Sequence, residues 1–362
     1  MRLVFTAVPV VSLESNGSFH LYLIKMSEFN WLKAIIREQI CLFRSIITEA
    51  IAYANRLALE SIQAKNSIKS KNRNPVMTFI KPLEYGGHAL VWSGDWSPKG
   101  ARQAISGAAR AGYDYIEIAL LDPWKVDAAL TKDLLQEFNL RAHASLGLSP
   151  GTDVTSTNAA IVAKGDELLR KATDVLFDMG GKELCGVIYC ALGKYPGSAS
   201  KENRSNSVAA MQRLADYAAD KGININLEVV NRYETNIMNT GIEGLAFLDE
   251  VNRPNTYLHL DTYHMNIEED GMEKSVLAAN DRLGYVHIGE SHRGYLGTGN
   301  VDFDKFFGAL KKINYRGPIT FESFSSEVVD PNLSNTLCVW RNLWKDSDDL
   351  AKKALMFMKE HY

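Results

Sequence analysis

Leu258-His-Leu-Asp-Thr-Tyr-His264 decides how this chain is read. Leucines alternate with polar residues up to Asp261, the period of a strand with one buried face, and another ionisable side chain follows three residues later. Three other stretches repeat the pattern of an apolar run ending in charge. They are Leu227-Glu-Val-Val-Asn-Arg-Tyr-Glu234, Tyr285-Val-His-Ile-Gly-Glu-Ser-His-Arg293 and Ile319-Thr-Phe-Glu-Ser-Phe324. Polar residues gathered at the carboxyl ends of parallel strands are what an α/β barrel uses for its active site.

Working outward, short β-rich runs alternate with helical patterns from residue 86 onward. The strands fall at His88–Trp92, Tyr115–Leu120, Leu140–Leu146, Cys185–Leu192, Ile223–Val230, Tyr257–Asp261, Tyr285–Gly289 and Ile319–Glu322. Between them, Leu168, Ala172, Val175, Leu176 and Met179 share a helix face that stops at Gly180-Gly181. A second helix runs through Ala209, Met211, Leu214 and Ala218 to Gly222. Eight such units predict an α/β fold closed as a TIM (β/α)8 barrel. A doubly wound open sheet is the alternative, but no glycine-rich dinucleotide loop follows the first strand.

Charge and composition narrow the function. With 40 basic and 43 acidic residues the net charge is −3, so the basic excess of a bulk nucleic-acid binder is missing. No apolar run approaches the roughly 20 residues that cross a bilayer. Cys41, Cys185, Cys190 and Cys338 form no CxxC pair, which points to reduced thiols in a cytoplasmic protein.

Residues 1–76 differ from the rest: they carry +5, leaving −8 for residues 77–362. Within them Ile36, Ile40, Phe43, Ile47 and Ile51 form one face of an amphipathic helix, and Lys65–Asn74 reads as a solvated linker. Three readings compete: a targeting segment, a helix for a partner or membrane surface, or translation begun upstream of the true start at Met77. Five glutamates argue against a transit peptide, and the third reading is favoured because a barrel strand begins shortly after Met77.

Glu228, Asp261 and Glu322, brought together at strand ends, would repel one another unless a cation joined them. His287 can add a neutral nitrogen. Three carboxylates and one imidazole make a hard donor set suited to Mn2+, Mg2+ or Co2+ rather than thiolate-bound zinc. His259 shares a strand face with Asp261 at a deeper level; it reads as a packed histidine with a local hydrogen bond, not a ligand. Tyr263 and Glu290 stay unassigned.

These residues resemble the ketose 3-epimerases, the D-tagatose and D-allulose (D-psicose) 3-epimerases among the xylose-isomerase-like TIM barrels. The resemblance covers about residues 80–325 and rests on Glu228 and Glu234, Asp261 and His264, His287 and Arg293, and Glu322 followed by Phe324. It implies one divalent metal, typically manganese, on Glu228, Asp261, His287 and Glu322. It implies Glu228 and Glu322 as the acid–base pair, and Glu234, His264 and Arg293 on the sugar hydroxyls beside Phe324. It also implies a homodimer or homotetramer, to which Trp340–Trp344 could contribute. The first-strand region His88–Trp96 and the loop Ala191–Gly197 depart from the usual wording, which bears on the preferred ketose.

The expected reaction is C3 inversion of a ketose (D-tagatose/D-sorbose, D-fructose/D-allulose) by proton removal and return through an enediolate. Its nearest rival is an aldose–ketose or hydroxypyruvate-type isomerase on the same scaffold. A metal-dependent endonuclease would need a basic groove and several ligand histidines. A non-catalytic sugar-binding protein would be expected to lack a metal ligand, and none is missing. A chain beginning at Met77 is expected to fold and keep near-normal turnover; insolubility or loss of most activity would make the leader an integral part of the fold.

Overall fold

The structure, a computed structural model, describes residues 83–329 and 331–362, together with the backbone of residues 7–13 and 19–25. The chain divides into two units, residues 1–80 and 81–362. In the first, β1 (Ala7–Leu13) pairs antiparallel with β2 (Phe19–Lys25), a hairpin the sequence reading did not anticipate. The helix expected over Ile36–Ile51 and the linker Lys65–Asn74 lie outside the described residues.

The second unit is the expected barrel. Its strands are β3 (Glu84–His88), β4 (Tyr115–Ala119), β5 (Arg141–Ser145), β6 (Glu183–Gly186), β7 (Asn224–Val229), β8 (Thr256–Asp261), β9 (Leu283–Ile288) and β10 (Pro318–Phe321). They run parallel in sequence order, and β10 closes on β3 through Pro318 opposite Glu84. The helices between them are α1 (Pro98–Ala111), α2 (Ala128–Glu137), α3 (Ala159–Asp178), α4 (Lys201–Ala219), α5 (Gly241–Val251), α6 (Thr262–Glu268), α7 (Met272–Ala279) and α8 (Phe303–Lys312). After the barrel come α9 (Pro331–Thr336) and α10 (Ser347–His361). Among the described residues, no helix is long and apolar enough to cross a membrane.

Local chemistry starts and stops these helices. Ser97 caps α1 before Pro98, whose missing N–H is not needed at that position. Thr240 and Glu243 close a reciprocal capping box on α5. The α3 face buries Leu169, Ala172, Val175 and Leu176 against the barrel, and Gly180 follows with φ +84°.

Two strands sit elsewhere than predicted. The first is β3 at Glu84–His88, four residues earlier, and Ala89–Val91 forms a 3-10 turn instead. Gly86 and Gly87 are inside the strand. A side chain at Gly86 would overlap the Tyr115 ring that fills the barrel interior. The fourth strand ends at Gly186 rather than Leu192, because Gly186 adopts φ +110° and turns the chain out of the ladder. Gly86→Ala is expected to cost about 1–3 kcal/mol by overpacking, read as a lower midpoint in denaturant unfolding; an unchanged midpoint would show that Tyr115 yields freely.

Candidate active site

His287 on β9 is the centre on which the other strand ends converge. Its Nε2 lies 2.8 Å from Glu117 Oε2. Its Nδ1 has no hydrogen-bond partner, although three carboxylate oxygens surround it. Glu322 Oε1 stands at 3.3 Å, Glu228 Oε1 at 3.5 Å and Asp261 Oδ2 at 4.0 Å. All four side chains are buried.

That arrangement suits a cation. Donor atoms around a small divalent ion stand about 3 Å apart, since each lies about 2.1 Å from the metal. Glu228, Asp261 and His287 offer atoms all within 4.8 Å of one another. Glu322 stands outside that trio; its Oε2 is paired with the Arg293 guanidinium and its Oε1 faces Nδ1. A second trio, Cys185, His259 and His287, shares the histidine. Burial pushes the Cys185 thiol well above its ordinary pKa, so a thiolate donor there is costly.

Helix α6 begins directly at the site. Asp261 Oδ1 accepts the Tyr263 N–H at 2.7 Å as its cap, leaving Oδ2 toward His287 and Arg293. One turn on, His264 Nδ1 accepts the Asn231 backbone N–H at 3.2 Å. Nε2 must therefore carry the proton, and it faces Asp261 Oδ2 at 3.8 Å and Glu228 Oε1 at 3.9 Å. The Asn231 amide joins His264 Nδ1 at 2.8 Å to Glu234 Oε1 at 2.9 Å.

Arg293 stacks on Tyr263, its guanidinium carbon 3.7 Å from the ring centre, and on Phe324 at 4.9 Å. It donates to Asp261 Oδ2 at 3.4 Å and to Glu322. Its φ of +64° is unusual for a long side chain, and strain of this kind tends to gather at functional sites. Its backbone is held by the Glu290 carbonyl and the Ser323 hydroxyl.

Electrostatics pull the carboxyls apart. Burial pushes Glu228 up to about 6, and the nearby Glu322 and Glu117 charges add to that. Burial likewise raises Asp261 well above the usual carboxylate range. For Glu322 burial acts upward too, but His287 and Arg293 outweigh it and hold the group low. His287 is raised well above an ordinary imidazole, because Glu117 and Glu322 overcome its burial. His264 is pushed well down by burial and by Arg293, which keeps it neutral.

The structure thus brings together Glu228, Glu234, Asp261, His264, His287, Arg293, Glu322 and Phe324, all named from the sequence. His259 needs correction. It is packed as expected, but neither ring nitrogen has a hydrogen bond; its ring meets Tyr285 and His287 edge-on at 4.9 and 4.2 Å. Tyr263 is a wall beneath Arg293. Glu290 organises the next loop, accepting the N–H groups of Ser291, Gly297 and Val301. Trp344 is buried while Trp340 is 70% exposed, so only the latter of the expected interface aromatics is free at the surface.

Three residues escaped the sequence reading. His88 reaches the pocket beside Glu322, with Nε2–Oε1 4.0 Å. Asn231 orients His264. Glu117 lies under His287, and it did leave a signal: it is the lone charge in the apolar run Tyr115-Ile-Glu-Ile-Ala119. The far wall of the pocket is apolar, formed by Leu90, Leu121, Leu192, Leu333 and Leu337.

An acid-lined pocket at the carboxyl end of a closed parallel barrel is where TIM-barrel enzymes carry their active sites, and the model of the xylose isomerase-like TIM barrel family matches residues 105–361. An L-ribulose 3-epimerase of Methylomonas sp. (strain DH-1) is 85% identical over 286 residues, 79% of this chain and all of the relative. A ketose 3-epimerase of Arthrobacter globiformis is 52% identical over 278 residues, 77% of this chain and 96% of the relative. The crystal structure of D-allulose 3-epimerase from Methylomonas sp. in complex with D-allulose superposes with a TM-score of 0.77 at 85% identity, covering 79% of this chain and 99% of that one. The chain belongs to the ketose 3-epimerase family, isomerases of the epimerase class.

Burial raises the proton affinity of Glu228 and Asp261, and the neighbouring carboxylates raise that of His287, so a cation bound there competes with protons. Affinity for a divalent cation is therefore expected to strengthen as the pH rises through about 6, where Glu228 gives up its proton. Calorimetry in buffers of different ionisation enthalpy should count released protons; none released, with affinity flat in pH, would contradict the assignment.

Proposed function

We propose that Glu228, Asp261, His287 and Glu322 hold one divalent cation, Mn2+ above Co2+ or Mg2+, and that the enzyme inverts C3 of free ketoses. The observation that carries this reading is the unpartnered His287 Nδ1 ringed by carboxylates from three other strand ends. Oxygen donors and one imidazole favour a hard cation over a thiolate metal. Bound there, such a cation supplies Lewis acidity to the ketose carbonyl.

The protein's own groups handle the proton. Inversion needs removal on one face of C3 and return on the other, so one carboxylate alone gives no net change. Glu228 rises from β7 and Glu322 follows β10, on either side of His287. Their environments push them in opposite directions, which suits one to hold a proton while the other accepts one. His264 offers an N–H fixed by Asn231, Arg293 offers charge, and Glu234 accepts hydroxyl protons. Phe324 closes the pocket beside them. The leucine wall offers no donor or acceptor to read distant hydroxyls, which suits more than one ketose. L-Ribulose and D-allulose, named for the relatives, belong in the test set with D-fructose, D-tagatose and D-sorbose.

Further elements of the reading are a cytoplasmic setting and a homodimer or homotetramer with Trp340 at an interface.

The decisive experiment is turnover of those ketoses with Mn2+ in D2O. Deuterium is expected at C3 of the product, and chelation by EDTA is expected to stop the reaction until Mn2+ or Co2+ is restored. Glu228→Gln and Glu322→Gln should each lower kcat by about 10²-fold or more, the scale of a lost acid–base group. Glu234→Gln, His264→Ala and Arg293→Ala should mainly raise KM, by about tenfold, as for lost charged hydrogen bonds. Label at C1 or C2 without inversion would favour the aldose–ketose isomerase instead.

A further inference from the structure

The deepest charge in the barrel is not among the groups assigned above. Glu117 points inward from β4, is fully buried, and lies on the opposite side of the His287 ring from the three carboxylates. Its Oε2 receives two hydrogen bonds, from Tyr285 Oη at 2.7 Å and from His287 Nε2 at 2.8 Å. The Tyr285 hydroxyl is itself approached by Thr320 Oγ1 at 2.8 Å, and Thr320 by Tyr115 Oη at 2.8 Å. The chain Tyr115–Thr320–Tyr285 thus ends on this carboxylate. A buried anion with two donors stays ionised, and an ionised carboxylate can only accept. His287 must then keep its proton on Nε2. Its other nitrogen, Nδ1, is left as the one that meets Glu228, Asp261 and Glu322.

We propose that Glu117 is a positioning residue that fixes the tautomer and ring plane of His287, and thereby sets how tightly the site holds its divalent cation. The inference rests on the reading of His287 as a ligand. Carboxylate–histidine pairs behind a metal orient the ring and make its free nitrogen a better donor, and their loss typically costs 10- to 100-fold in metal affinity. Its other oxygen, Oε1, lies 3.5 Å from Nε2 of the pocket residue His88, so KM for the ketose separates an effect through the cation from one through His88.

The test uses the full chain and Mn2+ as probe, with free Mn2+ counted by electron paramagnetic resonance. The wild type is expected to bind one ion per chain. Glu117→Gln keeps the shape but removes the charge, and its Kd for Mn2+ should rise about 10- to 100-fold. Glu117→Asp keeps the charge but withdraws it from Nε2, and it should fall between the two; it also serves if the glutamine variant does not fold. At saturating Mn2+ turnover should recover toward wild type and KM for the ketose should change less than about twofold, a split that a merely structural lesion does not give. Wild-type Mn2+ affinity in both folded variants would overturn the proposal. A wild type that binds no Mn2+ would instead overturn the metal reading itself.

Discussion

Like charges crowded into a buried space have to be neutralised, and that constraint shapes this barrel. Three carboxylates meet one imidazole nitrogen at 3.3 to 4.0 Å. At an effective dielectric of about 20, two unit charges 4 Å apart interact by about 4 kcal/mol, comparable to a large share of a domain's stability. The structure answers with two cationic groups. Arg293 binds two of the carboxylates and His287 sits among all three, while burial raises the proton affinity of Glu228 and Asp261. Even the backbone complies, since Arg293 reaches its place from a left-handed conformation. A bound cation completes the same balance.

What the sequence disclosed follows from where charge is expensive. Asp261, His287 and Glu322 were legible because each ends an apolar run, and a charge there needs a reason. Glu117 was equally conspicuous by that criterion, but it lies on the second barrel strand, while attention went to the last four. Asn231 left no such trace, because a neutral amide near a strand end has many ordinary uses. The histidine at 259 was recognised as packed, but its isolation from any hydrogen bond depends on which rings surround it, which only the closed barrel determines.

Strand positions were misread where glycine carried the information. Gly86-Gly87 looks like a turn in one dimension and is a strand in three, because the Tyr115 ring occupies the space a side chain at Gly86 would fill, and Trp92 and Tyr113 crowd the one at Gly87. Gly186 has the opposite effect, ending a strand that its apolar neighbours Val187 and Ile188 seemed to continue. In both cases hydrophobic periodicity was correct about burial and silent about direction. The interior it could not foresee is a polar one: Tyr115, Thr320 and Tyr285 fill the barrel beneath the site with hydroxyls that bond to one another.

Asp261 divides its carboxylate between two masters. Oδ1 starts the helix that carries His264, and Oδ2 faces the charged centre. The orientation of the helix and the placement of the central oxygen are therefore one rotamer choice, not two. A substitution at Asp261 therefore touches the start of the helix and the centre around His287 together. Leu90, Leu121, Leu192, Leu333 and Leu337, which line the same pocket, carry no such double duty.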